Sequence, residues 1–355
     1  MIEGDRIPGA PHPRFAPAVI GQDNAIREFT AAASERLHHG WLLTGPRGTG
    51  KATLAWSIAR WLLSASPQAG LSTLPDDPVA HRIAALSEPG LHLVRRPVDE
   101  KTGRLRAEIT VEETRRLIGF FHLTSAGGGR RIAIVDAADE MNPSAANALL
   151  KLLEEPPAGA LLLLISHQPA RLLPTIRSRC RELRLAPIRP EDMGRILTQL
   201  GVTVDPVRLT ALAGGSVGEA LRFAGQGGPE LYQDLIALFS TLPHLDRAAA
   251  LRLAEAAGRR SGNEEDPFDL LMTLLDRFFS RAVLSGLLGP PQPEAAEGEA
   301  KVLARISPDV HAARKWADAQ AELSARARAG RAVNLDPSAL VLDMLIRLAN
   351  RPSVS

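Results

Sequence analysis

Short apolar runs separated by stretches of helical spacing make up the first half of the chain. This alternation is typical of an α/β domain with a mainly parallel sheet. Four runs predict buried strands and a fifth, weaker run predicts another: Trp41–Thr44, His92–Arg95, Ile132–Asp136, Leu161–Ser166 and Glu182–Leu185. After about residue 187 only helical patterns follow, so strands are not expected there.

Helical spacing between the strands is clearest in two places. An apolar stripe from Leu54 to Leu63 predicts one amphipathic helix. Trp56 and Trp61 lie off that stripe, which leaves them open as interface residues or as residues packed against a second domain. A further helix is expected to begin at Asn142, an N-cap residue followed by proline, and to end before the next pair of prolines.

Breaks in these patterns predict the domain organisation. We expect a flexible N-terminal tail over residues 1–15 and an α/β domain over 16–187. A small helical domain over 188–228 and a larger helical domain over 229–355 are expected to follow. The stretch 289–299 is rich in Pro, Ala and Glu, a composition that predicts a mobile loop.

A phosphate-binding loop is the sharpest motif in the sequence. Residues 45–51 fit G-x-x-x-x-G-K and lie between a predicted strand and a predicted helix, which is the context this motif requires. The glycines let successive N–H groups face a phosphate, and the helix N-terminus adds partial positive charge. The alternative is a relic that only caps the sheet. The predicted nucleotide contacts here are Gly45, Arg47, Gly48, Thr49, Gly50, Lys51, Ala52 and Thr53.

The residues that would complete ATP hydrolysis are altered. A hydroxyl residue for Mg²⁺ should follow the lysine, but Ala52 stands there and Thr53 is one step round the helix. Asp136 ends an apolar strand as a second metal element should, yet Ala137 replaces the glutamate that orients water. Asp139-Glu140 could be the acidic pair instead, although it lies three residues beyond the strand. We therefore expect ATP or ADP to bind without hydrolysis, and no metal site.

Composition narrows the class of protein. A net charge of +2 and 4% aromatic residues disfavour an independent DNA- or RNA-binding module, because such proteins combine a basic groove with stacking side chains. The single cysteine, Cys180, excludes an internal disulfide or a multi-cysteine zinc site and suits a reducing compartment. The longest apolar stretch is too short to span a bilayer. A cytoplasmic protein is expected.

Three segments then resemble one family. Residues 147–157, the Ser178-Arg179-Cys180 motif and the box Val19-Ile20-Gly21-Gln22 are similar to the AAA+ clamp-loader subunits of bacterial DNA polymerase III. The resemblance runs from residue 19 to about 225. It implies an α/β P-loop (AAA+) domain with a parallel sheet, a small helical lid domain and an all-α collar domain. It also implies that Ile20 and Gly21 lie near an adenine.

The family resemblance further implies partners and a role. Clamp-loader subunits form a five-membered ring with gamma/tau and delta types that places a sliding clamp on primed DNA. Motor subunits keep a lid arginine where Gly218 stands here, and this change joins Ala52 and Ala137. Arg179 remains, so the resemblance implies a subunit that does not hydrolyse ATP but offers this arginine, in trans, to its neighbour's site. A self-sufficient motor of the gamma type is the alternative.

Two further expectations concern assembly. We expect a monomer when the chain is alone and a hetero-oligomer with its partners, and no zinc, because residues 64–89 contain no cysteine. Glu154 and Glu155 end a predicted helix, where the helix dipole disfavours negative charge. Either a residue of another subunit or a basic side chain in the same domain would explain them.

Overall fold

A computed structural model of the protein describes residues 11–74, 76–99, 101–122, 129–259 and 266–349. They form two compact units: one extends to residue 200 and includes 215–219, and the other comprises 201–214 and the chain from 220 onward. Only the first unit contains strands among the described residues. The division into three domains stays a prediction.

The first unit is built on a parallel sheet. Its strands are β1 (Gly40–Thr44), β2 (Leu91–Arg95), β3 (Arg131–Asp136), β4 (Ala160–Ile165) and β5 (Arg181–Arg184), in the order β2-β3-β4-β1-β5. All five predicted strands are confirmed to within one residue at each end. Because every pairing is parallel, the carboxyl ends of the strands meet at one edge of the sheet, where ligands of such folds bind.

Helices cover both faces of this sheet. One apolar cluster joins the sheet to α1 (Asp23–Glu35) and α2 (Lys51–Leu63), and a second joins it to α4 (Val111–His122) and α5 (Pro143–Glu154). The predicted cap is confirmed: the Asn142 side chain accepts the N–H of Ala145 at 2.9 Å, which fixes the start of α5. The helices of this part of the chain are α1 (Asp23–Glu35), α2 (Lys51–Leu63), α3 (Pro78–Ala84), α4 (Val111–His122), α5 (Pro143–Glu154), α6 (Pro174–Arg177) and α7 (Pro190–Gln199).

The end of the predicted flexible tail is packed instead. His12 is buried and its ring meets Trp56 edge-on, with 5.8 Å between centroids. The guanidinium of Arg60 donates to the carbonyls of Arg14 and Ala16 at 2.7 and 2.6 Å. Residues 11–16 therefore cover the outer face of α2, which is why Trp56 is a buried core residue rather than an interface residue. Residues 1–10 lie outside the described part of the chain.

The chain from residue 206 onward is helical, as predicted. Its helices are α8 (Pro206–Ala213), α9 (Val217–Gly225), α10 (Gly228–Ser240), α11 (Arg247–Ala257), α12 (Pro267–Leu288), α13 (Glu299–Ile306), α14 (Val310–Ala332) and α15 (Pro337–Ala349). In the core of the second unit Phe278 stacks on Phe239 at 4.2 Å and meets Trp316 edge-on at 5.8 Å. None of the described helices combines the length and the apolar character that crossing a bilayer requires.

The prediction of a mobile loop over 289–299 is wrong. Ala295 and Ala296 are buried, and the N–H of Ala295 donates to the carboxylate of Glu299 at 2.6 Å. The same carboxylate accepts two hydrogen bonds from Arg281, at 2.6 and 2.8 Å, and one from the hydroxyl of Tyr232 at 2.6 Å. The polar composition of the stretch hid a buried ion pair that holds it in place.

Candidate functional site

The glycine loop lies between β1 and α2, at the carboxyl edge of the sheet. Gly45 has φ +135°, and a Cβ there would lie 2.5 Å from the carbonyl oxygen of Leu185, so only glycine fits. Gly48 and Gly50 have φ of +75° and +93°. α2 begins at Lys51 directly after the loop. The backbone therefore has the curled conformation and the helix N-terminus that a phosphate site needs.

Lys51 is buried and turned back onto its own loop. Its ammonium donates to the carbonyls of Gly45 and Pro46 at 2.7 and 2.6 Å. Burial lowers the pKa of Lys51 to about 8, although the nearby carboxylates of Asp136 and Asp139 favour its charged form. The residues fit a bound phosphate group, because a lysine held by two neutral carbonyls can exchange them for an anion at little cost in geometry.

The acidic residues after β3 have different roles in the structure. The carboxylate of Asp139 accepts the backbone N–H groups of His167 and Gln168 at 3.0 and 3.1 Å, tying the end of β3 to the end of β4. Glu140 pairs with Arg47 at 3.1 Å and with Arg96 at 2.9 Å. The side chains of Asp139 and Glu140, the alternative acidic pair, are thus bonded to other parts of the structure. Asp136 is the carboxylate that most favours the charged form of Lys51.

The position after the loop lysine offers no metal ligand. Ala52 packs partly against the apolar core and Thr53 is half-buried. Ala137, which stands where an active ATPase would carry a water-orienting glutamate, is buried. Among the described residues no cluster of three or more His, Cys, Asp or Glu side chains is arranged to hold a metal ion. Ala52 therefore contributes no side-chain ligand to the Mg²⁺ of a bound nucleotide.

His167 is a site residue that the sequence analysis missed. It follows β4 at the carboxyl edge, and burial, with the charges of Lys51 and Arg47, lowers its pKa to about 4. Its Nδ1 has no hydrogen-bond partner among the described residues. A half-buried, neutral imidazole beside the loop lysine can bond a polar ligand there. Its position directly after the predicted strand Leu161–Ser166 was the available signal.

The N-terminal box is joined to the loop through Gln22. The side-chain amide of Gln22 donates to the carbonyls of Thr49 and Ala186, at 2.9 and 2.8 Å. The hydroxyl of the fully buried Thr49 donates to the Pro46 carbonyl and so serves the loop itself. Gly21 has φ +76°, and beside it Ile20 is half-buried. Ile20 and Gly21, the predicted adenine contacts, thus lie next to Gln22, whose side chain is hydrogen-bonded to the glycine loop.

Residues 215–219 lie against the tip of the glycine loop. The N–H of Val217 donates to the carbonyl of Gly48 at 2.8 Å, and a Cβ on Gly48 would meet the hydroxyl of Ser216 at 2.0 Å. The backbone nitrogen of Gly218 would lie 3.0 Å from that Cβ. Gly218 stands where related motor subunits would carry an arginine. Only its backbone approaches the loop, so this position has no positive charge for a phosphate.

Arg179 lies at the surface of the α/β unit, after α6. Its guanidinium pairs with Glu154 at the end of α5, with Nη2 and Oε1 2.9 Å apart, and donates to the Thr175 carbonyl at 3.0 Å. The Arg179 side chain is 36% exposed and that of Glu154 is 49% exposed. Of the two explanations for Glu154, the basic side chain of the same domain is the one found. Burial raises the pKa of the neighbouring Cys180 thiol to about 12.

The parallel sheet and the glycine loop between β1 and α2 define an α/β P-loop fold, as predicted. Residues 21–189 match the family model described as DNA polymerase III, delta subunit. This match covers just under half of the chain, so the α/β unit is similar to DNA polymerase III subunits, which supports the resemblance seen in the sequence.

Individual relatives are of both delta' and tau types. Over 201 residues the chain is 38% identical to the DNA polymerase III subunit delta' of Pseudomonas aeruginosa. The aligned region covers 53% of this chain and 56% of that protein. It is 31% identical over 196 residues to the delta' subunit of Bacillus subtilis, covering 55% and 56%. The tau subunit of Salmonella typhimurium is 28% identical over 278 residues, covering 75% of this chain and 40% of that protein. The chain thus spans little more than half the length of the two delta' relatives.

Proposed function

We propose that this chain is a delta-prime type clamp-loader subunit, which helps to load the sliding clamp onto primed DNA without hydrolysing ATP itself. The observation that carries the proposal is Arg179: a partly exposed guanidinium whose side-chain contacts are one half-exposed carboxylate and one carbonyl. An arginine held so lightly can leave these contacts for a stronger ligand presented by a neighbouring subunit.

The chemistry assigned to Arg179 is stabilisation of a phosphoryl group in trans. Its planar fork can meet two oxygens of a neighbour's ATP and stabilise the charge that develops as the terminal phosphoryl group departs. Such an arginine contributes roughly 10³–10⁵ in rate at a single site. Breaking the weak ion pair with Glu154 costs at most about 1 kcal/mol. This cost is small compared with the lowering of the activation free energy that such a gain in rate represents.

The chain's own loop is assigned nucleotide binding without turnover. Lys51, the loop N–H groups and the imidazole of His167 would hold the phosphates of ATP or ADP. Ala52 supplies no ligand for Mg²⁺, Ala137 no carboxylate for the attacking water and Gly218 no cation for the phosphates. When bound, the nucleotide would supply an anion that draws Lys51 away from the carbonyls of Gly45 and Pro46.

The partners follow from the proposed role. The chain would be monomeric alone and would join gamma/tau and delta type subunits in the cytoplasm. The second, helical unit would supply the contacts of the collar, and the clamp and primed DNA would be met through the whole complex. The delta' relatives of the α/β unit support this placement.

The test is ATP hydrolysis by the loader reconstituted from this chain and its partner subunits, with clamp and primed DNA present. Arg179→Ala is expected to lower the stimulated rate while the complex still assembles on a sizing column. Arg177→Ala is the matched control, because Arg177 is an exposed arginine two residues away. An unchanged rate in intact Arg179→Ala complexes would refute the trans-acting role.

A motor of the gamma/tau type is the second candidate. The glycine loop with its lysine, Asp136 and the match to a tau subunit over 75% of the chain favour it. The isolated chain decides between the two: turnover that disappears in Lys51→Ala would establish a motor. ATP binding without turnover would support the delta-prime role.

A further inference from the structure

A second concave region lies at the edge of the sheet opposite the glycine loop. It is an open cavity of about 620 Å³ at the amino ends of β1 and β4. Residues 36–39, between α1 and β1, form one side, and Pro156, Pro157, Gly159 and the first two residues of β4 form the other. Its volume is in the range of small-ligand sites. The clamp-loader role proposed above makes no use of this pocket.

The charged groups of the pocket are all basic. Arg36 and Arg130 line it and no carboxylate does. Both arginines are exposed, and neither side chain has a hydrogen bond or an ion pair within the described part of the chain. Two guanidinium groups without counter-charge form an anion site, and their planar forks match phosphate oxygens in particular.

Two stacked imidazoles add an aromatic surface. The rings of His38 and His39 are 4.4 Å apart and inclined by 27°. The Nε2 of His39 is bonded to the carbonyl of Leu153 at 3.0 Å, and the Nδ1 of His38 lies 2.9 Å from the carbonyl oxygen and 3.1 Å from the nitrogen of Gly40. These bonds fix both rings. Burial, and then the charge of His38, lower the pKa of His39, so a neutral ring is available for stacking.

Apolar groups complete the walls. Leu37 lies beside the histidines, Pro156 and Pro157 close the opposite side, and Leu161 lies at the start of β4. A ligand that satisfies every part of this surface needs a flat, largely apolar body and an anionic group. A nucleotide has both, because its base can stack on imidazole and its phosphate can reach the arginines.

We propose that this pocket binds one nucleotide unit through its phosphate and its base, independently of the glycine loop. The unit could come from a free nucleotide or from the end of a single strand, since the recognised chemistry is the same. Arg36 and Arg130 hold the phosphate, and the His38–His39 pair supports the base.

The experiment uses the full chain carrying Lys51→Ala, which removes the loop lysine from the measurement. Binding of AMP and of a 5′-phosphorylated thymidine tetranucleotide is measured by equilibrium dialysis, and the imidazole NMR signals of His38 and His39 are followed. We expect saturable binding with shifts of both signals, weakened at least tenfold by Arg36→Gln with Arg130→Gln. The matched control removes the same charge elsewhere, with Arg171→Gln and Arg177→Gln.

Tighter binding of the tetranucleotide than of AMP would identify a strand end as the source, and equal or weaker binding a free nucleotide. The proposal is overturned if neither probe binds at millimolar concentration, or if the control pair weakens binding as much as the pocket pair does. Binding that leaves the signals of His38 and His39 unmoved would also overturn it, because the ligand would then lie elsewhere. These outcomes are independent of Arg179 and therefore of the proposed clamp-loader role.

Discussion

Arg179 and Glu154 form an ion pair across the surface of the α/β unit, with Nη2 and Oε1 2.9 Å apart. The carboxylate ends α5, where the helix dipole disfavours negative charge, and the guanidinium neutralises it. Both side chains remain more than one third exposed, so water screens the pair. Glu154 thus holds the arginine in a defined place without holding it tightly.

The first prediction concerns release of this arginine by Glu154→Gln. Losing a screened pair should change the free energy of unfolding by less than about 1 kcal/mol, measured by urea denaturation. In the reconstituted loader, ATP hydrolysis should be kept or raised up to about fivefold, because Arg179 no longer has to leave a carboxylate. Glu155→Gln is the neighbouring control. A fall as large as that of Arg179→Ala would show that Glu154 instead positions the arginine for its work.

The sheet and the glycine loop could be predicted because their signals are local. Each strand is one continuous apolar run, as expected where both faces of a parallel sheet are covered. The loop glycines are required by positive φ at Gly48 and Gly50 and by the close approach of Leu185 to Gly45. Such constraints act within a few residues or fix one residue type, so the sequence reveals them directly.

The contacts that escaped prediction join distant parts of the chain. Gln22 bonds Ala186, 164 positions away, and Arg60 bonds Arg14 and Ala16 across more than 40. No periodicity marks such pairs, because each partner alone looks like an ordinary polar surface residue. The burial of Glu299 was hidden for the same reason: its charge predicts an exposed side chain, and the partner that allows burial, Arg281, lies 18 positions away.

The second prediction is that ATP binding weakens as the pH rises through about 8, where Lys51 loses its proton. With that pKa the charged fraction falls about tenfold between pH 7 and pH 9, and the dissociation constant from calorimetry should rise by a similar factor. Lys51→Arg should flatten the profile, because a guanidinium stays charged. An equal loss in both proteins would show that Lys51 does not carry the effect.

Unfolding of the protein would not explain weaker ATP binding at high pH. The pKa of Lys51 is lowered in the folded chain from 10.5 to about 8, so between these values the unfolded chain binds more protons. The contribution of Lys51 to stability therefore rises with pH across that window. A thermal unfolding midpoint that does not fall between pH 7 and pH 9 would confirm that the folded population is maintained.

The third prediction is that Cys180 is inert in the folded protein. Burial raises its pKa to about 12, which leaves about one thiolate in 10⁴ molecules at pH 8. Alkylation by iodoacetamide should be about 10³-fold slower than for the same chain in guanidinium chloride, as followed by mass spectrometry. Labelling of the native chain at the rate of a free thiol would contradict the raised pKa of Cys180.

The fourth prediction concerns the buried carboxylate of Glu299, which is fully enclosed and accepts hydrogen bonds from Arg281, Tyr232 and Ala295. Burial lowers the pKa of Arg281, but Glu299 more than offsets this and the net pKa is raised. Glu299→Gln leaves that guanidinium without its counter-charge and should destabilise the helical unit by about 3–5 kcal/mol.

A second substitution, at Arg281, separates the effect of the buried charge from the effect of side-chain packing. Arg281→Met combined with Glu299→Gln removes both charges and should recover part of the loss, because no buried ion is then left alone. Urea denaturation followed by circular dichroism gives the four free energies of the double-mutant cycle. Additive losses in that cycle would mean that the two side chains stabilise the fold independently, and would contradict a coupled ion pair.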